Sequence, residues 1–131
     1  MRTAPFALFA LMVFATPALS AVGLDYTAAR ALAEKNESAL NPEQTQALIL
    51  SQGDVGGRAL ADCRLESGGI LADLSPFTVV LELDATGKVV RTWREGESPI
   101  ATCFEKAMQS QSLAVPPQAP FYTYFAMSWE D

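Results

Sequence analysis

The sequence has 131 residues, half of them apolar, which suffices for one folded domain and is too short for several. It contains no histidine, so the commonest general base and the commonest metal ligand are both absent. The net charge is −6, or about −7 if Arg2 is removed with a leader peptide, and such an acidic surface disfavours nucleic acid as a partner.

The first twenty residues have the composition of an export signal. Arg2 precedes an apolar run from Pro5 to Phe14, and the small residues around Ala18 to Ala21 fit a cleavage site. The alternative is an uncleaved membrane anchor, but the run is interrupted by prolines and is short for a spanning helix. We predict a signal peptide over residues 1–20, export to the bacterial periplasm or medium, and no stable membrane anchor after cleavage.

Residues 21–75 predict a helical region with three helices. The alanine-rich segment from Leu24 to Leu40 favours the first helix. Asn41–Gln44 has the pattern of a capping box with a proline in the first turn, and the helix that it begins is predicted to end near Gly53. A third helix is predicted from Val55 to Glu66, ending at two glycines.

Residues 76–131 change to the two-residue period of strands. Phe77 to Leu83 alternates apolar and polar residues, which predicts a strand with one buried face. The turn residues Asp84–Lys88 then connect it to a second strand, Val89 to Arg94, as a hairpin.

A helix and a third strand complete this unit. Ser98 and Pro99 begin an amphipathic helix whose apolar stripe runs from Ile100 to Met108. A proline-rich connection then leads to the aromatic strand from Phe121 to Trp129. We therefore predict an α+β fold in which one helix packs on a three-stranded antiparallel sheet as two layers, forming one compact domain with the helical region.

The segment from Phe77 to Trp129 resembles the carboxy-terminal domain of TonB-type energy transducers and the TonB-like modules of secreted bacterial proteins. The matching features are the hairpin at Asp84–Val89, the helix from Ile100 to Met108, the Leu113–Pro117 exit and the terminal strand. The chain departs from working transducers in having neither their membrane helix nor their long proline-rich linker. The resemblance therefore implies the fold and a protein-binding role without energy transduction.

Cys63 and Cys103 are the only two cysteines. Export to an oxidising compartment predicts a disulfide between them. The alternative, a redox-active pair, usually requires Cys-x-x-Cys spacing or basic neighbours, and the sequence has neither. TonB-like modules that carry cysteines often place one in this helix and its partner upstream of the first strand, which agrees with a structural bridge.

The sequence gives little support for an enzyme. Glu82 and Asp84 are predicted on the outward face of the first strand, and the three lysines at exposed positions. No phosphate-binding loop, zinc spacing or calcium loop is present, so we predict no cofactor and no metal site.

The aromatic residues of the sheet suggest a partner-binding surface. One interpretation is that the amino-terminal helices cover the second face of the sheet. The other is that Tyr122 and Tyr124 project outward as anchors, with Arg91 and Arg94 adjacent on the neighbouring strand. These four residues are the candidate partner-binding residues.

We predict a non-enzymatic periplasmic or secreted accessory protein that binds a protein or peptide partner in the cell envelope. TonB-like domains take a partner's strand onto the edge of their terminal strand, and this edge is the first candidate site. The alternative function is that of a secreted inhibitor or immunity protein acting against a hydrolase or toxin.

Overall fold

A computed structural model describes residues 23–129, so the predicted signal peptide over residues 1–20 lies outside the described residues. Within this range the helices are α1 (Tyr26–Ser38), α2 (Pro42–Glu66) and α3 (Pro99–Met108), and the strands are β1 (Phe77–Leu83), β2 (Val89–Glu95) and β3 (Phe121–Met127). A short 3-10 turn, Gly69–Leu71, follows α2.

The strands form an antiparallel sheet in the order β2-β1-β3, which confirms the predicted α+β class and three-stranded sheet. In the centre of the sheet Val80 of β1 lies between Trp93 of β2 and Tyr124 of β3. A register shift between Glu82 and Leu83 marks a bulge at the start of β2. The predicted hairpin, helix and terminal strand therefore follow in the expected order.

The main core lies between one face of the sheet and helices α2 and α3. Phe104 of α3 is fully buried, with its ring centroid 5.5 Å from that of Phe77 and 5.1 Å from that of Phe125. The disulfide between Cys63 of α2 and Cys103 of α3 joins the two helices across a Cα–Cα distance of 5.6 Å. The predicted bridge is confirmed, and it holds α2 against the helix that packs on the sheet.

The second face of the sheet is covered by α1. Ala29 and Ala33 are fully buried against Val80 and Tyr122 in a separate cluster. Because alanine side chains are small, α1 can lie close to the strands. The prediction that β1 has one buried face was therefore wrong, and the domain has three layers instead of two.

The second predicted helix does not end near Gly53. It continues as one α-helix of 25 residues, because apolar residues along its inner face remain buried through the glycine-rich middle. These buried residues are Leu48, Val55, Gly56, Ala59 and Cys63. Tertiary packing thus outweighs the low helix propensity of glycine here.

The predicted start of the second helix and the predicted end of the third helix are confirmed, and they are the two ends of α2. Asn41 Oδ1 accepts a hydrogen bond of 2.8 Å from the Gln44 N–H, and Gln44 Oε1 accepts one of 3.0 Å from the Asn41 N–H. At the other end Gly68 and Gly69 adopt positive φ values of 110° and 60°. The capping box and the glycines therefore fix where α2 begins and ends.

Between residues 23 and 129, no helix combines the length and hydropathy that crossing a bilayer requires. α2 has the length, but polar and charged residues recur throughout its sequence.

We predict that Gly56→Ala lowers the free energy of unfolding by about 1–3 kcal/mol. A Cβ atom at Gly56 would lie 2.6 Å from Cε1 of Phe125, so α2 or the ring must move. Gly53→Ala is the matched control, because a Cβ there meets nothing within 4 Å, and it should stabilise α2 by about 0.5–1 kcal/mol. Urea unfolding measures both, and equal effects would contradict this account of the packing.

Candidate functional site

The aromatic face that was proposed as a recognition surface lies beneath α1. Tyr122 is only 7% exposed, and Tyr124 is half-buried under Arg30, whose guanidinium carbon lies 4.0 Å from the ring centroid. Neither tyrosine projects outward as an anchor. The helices therefore cover this face, as the first of the two interpretations expected.

Arg91 belongs to a half-buried polar network on the same face. Its Nη2 lies 3.1 Å from Glu82 Oε1, and the Tyr122 hydroxyl donates to the same carboxylate oxygen at 2.9 Å. The guanidinium also lies over the ring of Trp93, whose Nε1 donates to the Leu24 carbonyl at 2.9 Å. Glu82 is thus half-buried and paired, and the prediction that it faces solvent was wrong.

The same network changes the chemistry of Tyr122. Burial, followed by the nearby Glu82 carboxylate, raises the pKa of the Tyr122 phenol above its usual value of 10.0. The hydroxyl therefore stays protonated and donates its hydrogen bond throughout the neutral range. The network acts as a fixed link between β1, β2 and β3.

The outer edge of β3, called here the β3 edge, is capped by side chains of the helices. The Tyr122 N–H donates to Asn36 Oδ1 at 2.8 Å, and the Tyr124 N–H donates to Glu37 Oε2 at 3.2 Å. Gln52 Nε2 donates to the Thr123 hydroxyl at 2.8 Å. These polar groups occupy positions that an added strand would need, so this edge is closed along Tyr122–Tyr124.

Glu37 carries a charge into this partly buried position. Loss of hydration raises the pKa of its carboxyl above the usual 4.5, while the hydrogen bonds from Thr123 and Tyr124 and the charge of Arg30 act in the opposite direction. The carboxylate accepts from both the Thr123 hydroxyl and the Tyr124 amide. Closing the β3 edge therefore requires the Glu37 carboxylate to lose part of its hydration.

The outer edge of β2, called here the β2 edge, is different. The amides of Tyr122 and Tyr124 point away from β1, so their partners Glu82 and Val80 direct their own amides towards β2 and pair there with Arg91 and Trp93. Since backbone amides alternate in direction along a strand, those of Thr92 and Arg94 point outward from the sheet. Only the start of this edge is covered, where the Val89 N–H donates to the Gln111 carbonyl at 3.0 Å. Among the described residues, no backbone hydrogen bond closes the edge at Thr92 and Arg94.

Side chains of α3 line this edge on one side. Arg94 Nε lies 3.1 Å from Glu105 Oε1, and the Thr92 hydroxyl lies 3.1 Å from the other carboxylate oxygen. Gln109 Nε2 approaches the same hydroxyl at 3.4 Å. Arg94, which was a candidate binding residue, is therefore held beside the β2 edge by an ion pair.

A shallow groove runs along the β2 edge. Its volume is about 360 Å³, and it is lined by Val89, Val90, Arg91, Thr92 and Gln109. Val90 is exposed at the bulge. The groove combines outward backbone groups with a small apolar contact, which suits an extended peptide.

A second groove follows the disulfide between α2 and α3. It has a volume of about 730 Å³, and residues of both charge signs line it, among them Arg58, Asp62, Glu66 and Lys106. Within residues 23–129, no group of three histidine, cysteine or acidic side chains could hold a metal ion.

Of the four candidate binding residues, the structure places Arg91 and Tyr122 in one network, Tyr124 under Arg30, and Arg94 beside the β2 edge. The sequence did not identify Asn36, Glu37 or Gln52 as caps of the β3 edge. Their contacts span 71 to 87 residues of chain, and no local pattern signals such a contact.

No protein-family model, curated protein sequence or solved structure matches this chain.

We predict that Glu37→Gln makes stability less dependent on pH. Because the folded-state pKa of Glu37 lies above 4.5, the folded protein binds this proton more tightly than the unfolded chain. Protonation of Glu37 should therefore raise the free energy of unfolding of the wild type as the pH falls through the folded-state pKa. At neutral pH, where Glu37 is ionised, this contribution should be absent. The amide of glutamine removes this contribution while its oxygen can still accept from Tyr124.

Urea unfolding of both proteins between neutral pH and about pH 4 measures the difference. Glu95→Gln, at an exposed carboxyl on β2, controls for the loss of one negative charge. A stability difference between wild type and Glu37→Gln that is constant with pH would contradict the prediction.

Proposed function

We propose that this protein is an exported, non-enzymatic module of the TonB-like kind that binds an extended segment of a protein in the cell envelope. The partner segment adds to the β2 edge as a fourth strand. The single observation that carries the proposal is the contrast between the two edges, because β3 is capped at Tyr122 and Tyr124 while Thr92 and Arg94 point outward uncapped.

The open edge supplies the chemistry of strand addition. Backbone donors and acceptors at Thr92 and Arg94 would pair with a partner strand and provide affinity that does not depend on its sequence. Selectivity would come from Val90 in the groove and from the polar side chains around Glu105. The TonB-like resemblance favours the terminal strand β3 as the strand that pairs with a partner, whereas here the partner pairs with β2.

Two features support an exported location. The leader composition of residues 1–20 is that of a secretory signal, and the Cys63–Cys103 bridge suits an oxidising compartment. The TonB-like assignment draws on the strand, strand, helix, strand order of residues 77–127.

The half-buried carboxylates near the sheet support a function without catalysis, because their hydrogen bonds and ion pairs are made within the fold. Glu82 and Glu105, two of the half-buried carboxylates near the sheet, are both paired with arginines and accept hydrogen bonds from hydroxyl groups. Paired carboxylates in this setting fix the positions of strands and helices. Neither is left available as a general acid or base.

We predict that Thr92→Pro abolishes binding without unfolding the domain. Proline removes the outward N–H and places its ring where a partner strand would pair, while the ladder to β1 keeps its hydrogen bonds. The probe is a linear peptide selected from a displayed random library against the purified, oxidised protein. Its Kd should rise by about tenfold or more in Thr92→Pro, as measured by fluorescence anisotropy.

Two variants serve as controls. Thr92→Val keeps the N–H and loses only the hydroxyl contacts with Glu105 and Gln109, so the Kd should stay within about twofold. Ala126→Pro introduces the same ring on β3 and should leave binding unchanged. A folded Thr92→Pro variant with normal affinity, or a loss confined to Ala126→Pro, would reject the β2 edge as the site.

A further inference from the structure

The outward face of α2 carries a regular stripe that the fold leaves uncovered except at Leu60, which packs partly against the main core. Its residues recur at the three- and four-residue spacing that keeps them on one side of a helix. This α2 stripe consists of Glu43, Gln46, Leu50, Gly53, Gly57, Leu60 and Arg64. Leu50 is 66% exposed, and Ile49 beside it is 60% exposed. Ile49 and Leu50 together form an exposed apolar patch on this side of the helix, and such a patch is typical of a contact surface.

The two glycines of the stripe have no packing role within the domain. A Cβ atom at Gly53 or Gly57 would meet nothing within 4 Å, in contrast to Gly56, which lies against Phe125. Glycine inside a helix costs about 0.5–1 kcal/mol relative to alanine. The pair forms a shallow depression in the middle of the stripe, into which a large side chain from another molecule would fit.

An apolar groove extends the stripe beyond its carboxy-terminal end. It has a volume of about 690 Å³ and is lined by Leu60, Leu65, Ile70 and Trp129 among others. Ile70 is 92% exposed and Leu65 is 76% exposed. Exposed apolar surface is therefore present near both ends of the stripe, at Ile49 and Leu50 and again at Leu65 and Ile70.

We propose that the α2 stripe is the interface with a second copy of this chain, in which the two α2 helices pack antiparallel. Glu43 lies at one end of the stripe and Arg64 at the other, about 32 Å apart along the helix. Neither forms an ion pair among the described residues. Antiparallel pairing brings Glu43 opposite Arg64 of the partner subunit, and two-fold symmetry repeats this pair at the other end.

The same arrangement uses the apolar residues of the stripe. With Glu43 opposite Arg64 of the partner subunit, Leu50 lies opposite Gly57 of the partner subunit. A large side chain thus meets the depression, and each such contact also occurs twice. A parallel pair would instead place like charges together at both ends, which is unfavourable. The stripe is therefore complementary to itself in one orientation only.

Sedimentation equilibrium of the exported, oxidised protein tests this proposal. We expect a dimer whose Kd rises at least about tenfold in Leu50→Glu. Gly57→Ala should also weaken the dimer, although it raises the stability of the isolated helix and hence the Tm measured at low protein concentration. A variant that merely damaged the fold would lower the Tm, so this pair of readouts isolates the interface.

Charge reversal tests the orientation. Glu43→Lys should weaken the dimer, and the double variant Glu43→Lys/Arg64→Glu should restore it. Asp62→Lys makes the same charge change outside the stripe, on the side facing α3, and should leave the Kd unchanged. Thr92→Pro should also leave it unchanged, which separates this interface from the proposed peptide site.

Three outcomes at the α2 stripe itself would overturn the proposal. They are a protein that sediments as a monomer at about 100 μM, a dimer that tolerates both Leu50→Glu and Glu43→Lys, and a double charge reversal that fails to restore affinity. A dimer lost in Thr92→Pro and retained in Leu50→Glu would also reject it, since the copies would then meet through the β2 edge.

Discussion

The docking of α1 on the sheet is the contact on which the other surfaces of this protein depend. Its buried alanines, Ala29 and Ala33, bring the helix close enough for Asn36 and Glu37 to reach the amides of β3. The same contact buries the aromatic face. One helix thus determines which face and which edge of the sheet remain available to a partner, and β2 is the edge that it leaves open.

Local signals in the sequence predicted much of the fold. The capping box at Asn41, the two-residue alternation from Phe77 to Leu83 and the amphipathic spacing of α3 each specify an element through neighbouring residues. The pairing of Cys63 with Cys103 was also predictable, because the chain offers no other choice.

The features that the sequence did not predict depend on distant contacts. Three glycines in α2 suggested a break, but burial of the inner face keeps the helix continuous, and Gly56 is needed for its contact with Phe125. The shallow apolar face of α1 did not reveal which surface it covers. Likewise Glu37 has no local pattern that marks it as a cap, so the closed edge of β3 emerged only from the folded arrangement.

The two tryptophans lie in different layers, which makes them separate optical probes. Trp93 donates a hydrogen bond to the Leu24 carbonyl just ahead of α1, and its ring is tilted against that of Tyr122 at a centroid distance of 6.0 Å. Trp129 instead lies near Phe77, on the face that packs against α2 and α3. In variants that keep only one tryptophan, the fluorescence of Trp93 would report detachment of α1, and that of Trp129 would report loosening of α2 and α3. Comparing the two unfolding transitions would show whether the layers unfold together.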